Sequence, residues 1–309
     1  MQRILTLPDG SRVLLEGQVV PNAWDVYQKR CNGHSELSFK PHIAWSESDS
    51  PVPFKFDDYI KQFSGEKLLE RQKEREKELE EIRDKQRQKS AQRAKTQCRW
   101  VIKSQGLNEL LTLTYRDNQE DRELCKKHFK EWVRRMKAAL GGKFVYCASF
   151  EKQDRGAMHV HVACHKLPAH GVRKGQKIKA WKLGTDIWRS IIGLSVTGQT
   201  GGLCFVGGKS KNGGFRRNLS LAKLAGYVSK YIMKDYQESP LEKNRYSRSN
   251  GLELPKSQKT TYTGLTLSEM IQLVFECTQG DVIVSHQVTL DDYGAGRYWL
   301  VTEPDLQKR

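Results

Sequence analysis

Acidic residues are scarce: 36 Asp+Glu stand against 53 Lys+Arg, a formal net charge of +17 over 309 residues. That imbalance leaves a polyanion as the expected partner, with nucleic acid first among polyanions. Long hydrophobic runs are missing as well. No stretch approaches the roughly 20 apolar residues of a membrane span, and the opening MQRILTLPDG has no apolar signal core. The 7 cysteines, at 31, 98, 125, 147, 164, 204 and 277, are odd in number and contain no CxxC pair. A disulfide framework or a cysteine zinc site is therefore not expected, and the chain reads as a soluble protein of a reducing compartment. No internal repeat is visible. Aromatic residues are plentiful, with 7 Trp, 10 Phe and 11 Tyr, which excludes a disordered chain. The length supports a full hydrophobic core in about two domains of ~150 residues each.

Composition divides the chain into four stretches. Residues 1–55 mix short apolar runs with Pro, Gly and Asp and read as a β-rich or irregular cap. Residues 56–97 contain the run EKLLERQKEREKELEEIRDKQRQKSAQRAK, which is almost entirely helix formers and has neither Pro nor Gly. Its few apolar positions cannot sustain coiled-coil heptads, so it reads as a long charged, solvated helix, with a DNA-backbone or weak oligomer contact as the alternative.

Residues 98–240 carry the pattern of an α+β domain. LLTLTY at 110–115 reads as a strand closed by turn residues, and 121–140 places Leu124, Phe129, Trp132, Val133, Met136 and Leu140 at helical spacing before Gly141-Gly142. Two strands, 143–151 and 158–165, flank a turn at Asp154-Arg155-Gly156. Helices are expected at 178–192 and 218–237, with a short strand at 203–206 between them. This order predicts an antiparallel sheet with flanking helices. Residues 241–309 form a basic, turn-rich segment followed by a small α/β block with a helix near 267–277 and strands near 281–288 and 297–301.

Chemistry concentrates in two segments. In MHVHV, side chains alternate across the strand, so His159 and His161 share one face. Two imidazoles on one strand face form half of a divalent-metal site, and folding back at Gly156 brings Glu151 within reach as a third ligand. Two His and one carboxylate leave coordination positions open for a substrate oxygen. The bland alternative is a half-exposed strand face. In AGYVSKYIMK, Tyr227 and Tyr231 lie one helical turn apart, each followed three residues later by a lysine, Lys230 and Lys234. A phenol with a pKa near 10 is a poor nucleophile at neutral pH, and a neighbouring ammonium favours phenolate while neutralising phosphate charge. The alternative is an aromatic stripe packed into the core.

In sequence order, the LTLTY strand, the Glu…His-Val-His hairpin and the Tyr-x-x-Lys helix resemble the three motifs of HUH endonucleases, above all the rolling-circle replication initiators of small and filamentous phages and of plasmids. The resemblance covers roughly residues 97–252. It implies an RRM-like or ferredoxin-like antiparallel sheet, and Mg²⁺ or Mn²⁺ held by His159, His161 and Glu151. It further implies attack by Tyr227 or Tyr231 on single-stranded origin DNA, with Lys230 or Lys234 assisting and Tyr227 slightly favoured for the first attack. The product would be a 5′-phosphotyrosine and a free 3′-OH, and two tyrosines suit an initiator that cleaves again at termination. Relaxases differ in carrying a third histidine and an N-terminal tyrosine. A two-tyrosine transposase or a non-catalytic single-stranded DNA-binding protein on the same fold are the alternatives.

Residues 171–260 hold 18 Lys+Arg against 5 Asp+Glu, a net +13, which suits a DNA groove. Arg216, Arg217, Lys223, Arg245 and Arg248 are the expected DNA contacts, and a solvated basic surface is the alternative. Gly207-Gly208-Lys209-Ser210 is no Walker A motif, because Leu203 stands where that motif needs glycine. A helicase must then come from elsewhere, in this reading from a bacterial host whose cytoplasm is the expected location. Cys31 with His34, and the cluster Cys164, His165 and His170, are expected to be structural, with a DNA contact as the alternative for His165.

Overall fold

The alternation read in LTLTY and MHVHV becomes two adjacent strands at the middle of an antiparallel sheet. The computed structural model describes residues 1–53, 61–209, 215–216, 220–234, 244–278, 280–290 and 296–305, with backbone alone at 208–209 and 215–216. In chain order these residues form β1 Gln2–Thr6, β2 Arg12–Cys31, β3 His34–Glu47, α1 Gly65–Gln105, β4 Glu109–Tyr115, α2 Arg122–Ala139, β5 Tyr146–Lys152, β6 Met158–Cys164, β7 His170–Arg173 and β8 Gln176–Lys179. There follow α3 Ala180–Ile192, β9 Gly202–Val206, β10 Gly208–Lys209, β11 Phe215–Arg216, α4 Leu221–Lys234, β12 Tyr246–Arg248, β13 Gln258–Thr263, α5 Leu267–Glu276, β14 Asp281–Leu290 and β15 Gly296–Pro304. The fold class is α+β, as the pattern of elements predicts.

Two compact units emerge, Met1–Glu80 with Pro255–Arg309, and Glu81–Leu254. In the first, the strand order is β1-β2-β3-β15-β14, and β13 pairs with β2. The two end segments of the chain, read from composition as separate blocks, thus contribute to one sheet. Strand β2 is long enough to serve two partners. Its first half pairs with β1 and its second half with β13, with an irregularity between Val19 and Trp24. Asn32 and Gly33, both at positive φ, close the β2–β3 hairpin, so Cys31 and His34 face each other across a turn. The apolar core of this unit joins Trp24, Val26, Leu37 and Phe39 to Met270 and Val274 of α5 and to Tyr298 and Leu300 of β15.

The second unit is built on a five-stranded antiparallel sheet of order β12-β5-β6-β4-β9. Helix α2 begins where the Asp121 carboxylate accepts hydrogen bonds from the backbone N–H of Glu123 and Leu124 at 2.8 and 3.0 Å. With α3 it covers one face, over Leu111, Leu113, Ala148, Phe150, Val160 and Val162. The Trp132 indole N–H donates to the Gly184 carbonyl at 3.0 Å and ties α2 to α3. A Cβ on Gly184 would lie 3.0 Å from Cys204 Sγ, which explains a glycine in mid-helix. The opposite face packs Leu110, Cys147 and Ala163 against Cys98, Val101 and Ile102 of α1 and Leu224, Ala225, Val228 and Ile232 of α4. Both faces are therefore covered, each by a pair of helices.

Three boundaries differ from the sequence reading. The charged helix does not stop near residue 97 but runs to Gln105, because its last turns become apolar and bury Cys98, Trp100, Val101 and Ile102. The helix expected from 178 starts at Ala180, since Ile178 belongs to the β7–β8 hairpin. The helix expected over 218–237 is seen from Leu221 to Lys234, and 218–219 and 235–237 lie outside the described residues.

Candidate active site

Register brings the predicted ligands together. In the β5–β6 hairpin Glu151 pairs with His159 and Ser149 with His161, and across β4 the same histidines pair with Thr114 and Thr112. Gly156 turns the hairpin at φ +93°, a conformation that favours glycine. Glu151, His159 and His161 each offer a ligand atom, all within 4.8 Å of one another, so the group can hold a metal ion. The donor set, two imidazole nitrogens and one carboxylate, suits a divalent first-row ion or a harder one. A further observation supports the fit: His159 Nε2 is buried and has no hydrogen-bond partner, which leaves its lone pair free to ligate.

Protonation favours the same use. Burial, reinforced by the adjacent His161 and opposed by Glu151, lowers the His159 pKa to about 4, so its ring is neutral at physiological pH. Burial pushes the Glu151 carboxyl up, but the hydrogen bond from His161 and the charges of His161 and Lys234 outweigh it and hold the pKa below the ordinary value. His161 Nε2 lies 2.8 Å from Glu151 Oε2, and its Nδ1 lies 3.4 Å from Thr112 Oγ1. Thr112 is a residue the sequence reading passes over, although its alternation with Leu111 and Leu113 already places it on the histidine face.

Helix α4 lies over β5 and β6 and delivers both tyrosines to this group. The Tyr231 ring stacks on His161 with centroids 4.2 Å apart and planes inclined at 11°. Tyr227 meets His161 edge-on at 5.4 Å, and the two tyrosine rings are also 5.4 Å apart. Their exposure separates them: Tyr227 is 36% exposed and Tyr231 only 7%. Burial, with the neighbouring Tyr227 hydroxyl, raises the Tyr231 phenol above its ordinary pKa. Lys230 Nζ sits 4.7 Å from each tyrosine ring centroid. Lys234 does not repeat that arrangement, because its ammonium reaches Asp154 at 3.2 Å and Glu151 at 3.5 Å.

The expected DNA contacts fare differently. Lys223 is exposed on α4, one turn before Tyr227. Arg248 sits on β12 opposite Cys147 and lines a cleft of ≈ 760 Å³ together with Tyr146, Phe150 and Tyr246. Arg245 is buried, with Nη2 donating to the Arg87 carbonyl at 3.4 Å, so it braces α1 instead of facing solvent. The Arg216 backbone pairs with Gly208 in the β10–β11 hairpin, while Arg217 lies outside the described residues. His165 is exposed beyond the end of β6 and is not part of the Glu-His-His group.

An antiparallel sheet presenting Glu-His-His under a tyrosine helix is the arrangement of motifs named above. Comparison with known proteins agrees at a coarser level. Residues 108–236 match the family described as Replication-associated protein ORF2, a stretch under half the chain that runs from β4 through α4. The likeness is consistent with a Rep-type replication initiator, a role that brings DNA at an origin as partner. No curated protein and no solved structure matches the chain. No described helix is long and apolar enough to cross a membrane.

Proposed function

We propose that the protein is a two-tyrosine HUH endonuclease that initiates rolling-circle replication by nicking single-stranded origin DNA and rejoins the strand at termination. The observation that carries this reading is the meeting of Tyr227 and Tyr231 with His161, itself within the Glu151–His159–His161 group. Those three residues would hold Mg²⁺ or Mn²⁺, which supplies electrophilic polarisation of the scissile phosphate. Tyr227, the more exposed phenol, attacks phosphorus through Oη, and Lys230 favours its phenolate form. The P–O3′ bond breaks and a Tyr–O–P bond forms. The proton lost by the phenol balances the one gained by the 3′ oxygen, and the phosphodiester is conserved for later rejoining. Tyr231, buried against His161, serves the second cleavage. Lys223 and Arg248 are the described basic side chains assigned to the DNA backbone.

The test is a denaturing-gel adduct assay with end-labelled single-stranded DNA, including a pool from the cognate genome, and Mn²⁺. Label should remain on the wild-type protein and on Tyr231→Phe, and should be lost in Tyr227→Phe during the first turnover and in His159→Ala. Tight DNA binding with no adduct in any form would replace the nuclease by a non-catalytic DNA-binding protein.

A further inference from the structure

Two apolar side chains are left in solvent on the face that carries the histidines. In β9, Phe205 pairs with Thr112 and Leu203 with Thr114, and the same threonines pair on their other side with His161 and His159. Register partners share a face, so Phe205–Thr112–His161 and Leu203–Thr114–His159 form two parallel rows across three strands. Helix α4 lies over the β5–β6 part of this face. At the β9 end Leu203 is 38% and Phe205 41% exposed. With Trp181, Lys182 and Arg189 of α3 they line a cleft of ≈ 600 Å³.

An edge strand with apolar side chains invites pairing with another chain, but the outward backbone of β9 is already engaged. Thr185 Oγ1 donates to the Cys204 carbonyl at 3.1 Å and accepts from the Cys204 N–H at 3.2 Å. Arg189 Nε donates to the Gly202 carbonyl at 3.0 Å. A strand partner finds these ladder positions taken. What stays open is the flat faces of the side chains, beside two cations, continuous with the candidate active site.

We propose that Phe205 and Leu203 form a stacking platform for the bases of the single-stranded substrate, receiving nucleotides next to the scissile phosphate. The inference rests on the nuclease reading. Two strand steps, about 10 Å, separate the platform from the histidines, a distance that a short stretch of single strand covers. Lys182 and Arg189 supply charge for the backbone that accompanies the stacked bases. Every base has a π face, so the platform adds affinity and alignment without choosing sequence.

The test compares two fluorescent probes on the full chain in EDTA: an oligothymidylate, and an abasic phosphodiester of equal length. Loss of one stacked base predicts that Phe205→Ala weakens oligothymidylate binding by about 5- to 150-fold, while abasic binding stays within about twofold. Phe205→Trp should retain affinity, and a 2-aminopurine base quenched by the wild type should brighten in Phe205→Ala. Unchanged oligothymidylate binding, or an equal loss on both probes, overturns the platform. So does a shift to smaller species on sedimentation with DNA affinity intact, which would make the patch a contact between copies. The adduct assay keeps the two readings apart. If the wild type forms an adduct and Phe205→Ala binds normally, the platform alone falls. If the wild type forms none, the nuclease reading falls, and with it the placement of the platform beside a scissile phosphate.

Discussion

Thr112→Val removes one hydroxyl from the middle strand of the histidine face at almost constant volume, and its effect can be worked out from two distances. With His161 Nε2 2.8 Å from Glu151 Oε2, a proton on Nε2 bridges the two in the metal-free protein. A metal ligand at Nε2 requires that proton to leave and Nδ1 to carry the remaining one, and the acceptor for Nδ1–H is Thr112 Oγ1 at 3.4 Å. His161 is buried, so valine leaves that N–H without a partner in the metal-loaded form. The cost is about 1–2 kcal/mol, toward the low end for a buried donor because the contact is long. Mn²⁺ affinity should therefore fall about 5- to 30-fold. Calorimetric titration of Mn²⁺ measures this directly, and the adduct rate at saturating Mn²⁺ should recover to near the wild-type value. Thr112→Ser, which keeps the hydroxyl, should restore affinity. A folded Thr112→Val protein with unchanged Mn²⁺ affinity would refute the role given to Thr112 and the use of His161 Nε2 as a ligand atom.

Two further expectations concern the scaffold. Trp132→Phe removes the buried donor to the Gly184 carbonyl and thins the core between α2 and α3; a loss of about 2–4 kcal/mol follows. Calorimetry should show a melting point lower by about 5–15 °C, and a shift under about 2 °C would contradict the packing described. In the other unit, burial raises the Asp25 carboxyl, but hydrogen bonds from Lys259, His42 and Thr261 outweigh it and hold the pKa below the ordinary value. A depressed carboxyl contributes stability that is complete above its unfolded pKa and is lost as pH falls through the folded one. Asp25→Asn should therefore weaken the unit at pH 7 and make little difference at pH 3, as read by urea unfolding. An equal gap at both pH values would sink this account.

The candidate site is legible in the sequence because it depends on local periodicity. Alternation sets His159 and His161 on one face, a hairpin of fixed length brings Glu151 opposite His159, and a four-residue helical step stacks Tyr227 near Tyr231. Each is a short-range consequence of backbone geometry. What stays hidden is non-local. QKTTYT at 258–263 has no apolar alternation, and its strand exists because β2 offers a ladder more than 200 residues away in sequence. Arg245 looks like a DNA contact by composition, and only the course of α1 shows that it is buried beside Arg87. The division between Tyr227 and Tyr231 is equally invisible, since identical residues one turn apart differ only in what the sheet places beneath them.

The first unit draws its strands from both ends of the chain, which gives synthesis an order. Residues 81–254 can leave the ribosome and close their own two-sided core while β2 and β3 are still waiting for β15 and α5. Throughout that interval Trp24, Val26, Leu37 and Phe39 lack the partners that later bury them, and the free side of β3 lies unpaired. The vulnerable moment of this protein's birth thus falls on the early hairpin, and translation of residues 255–309 brings it to an end.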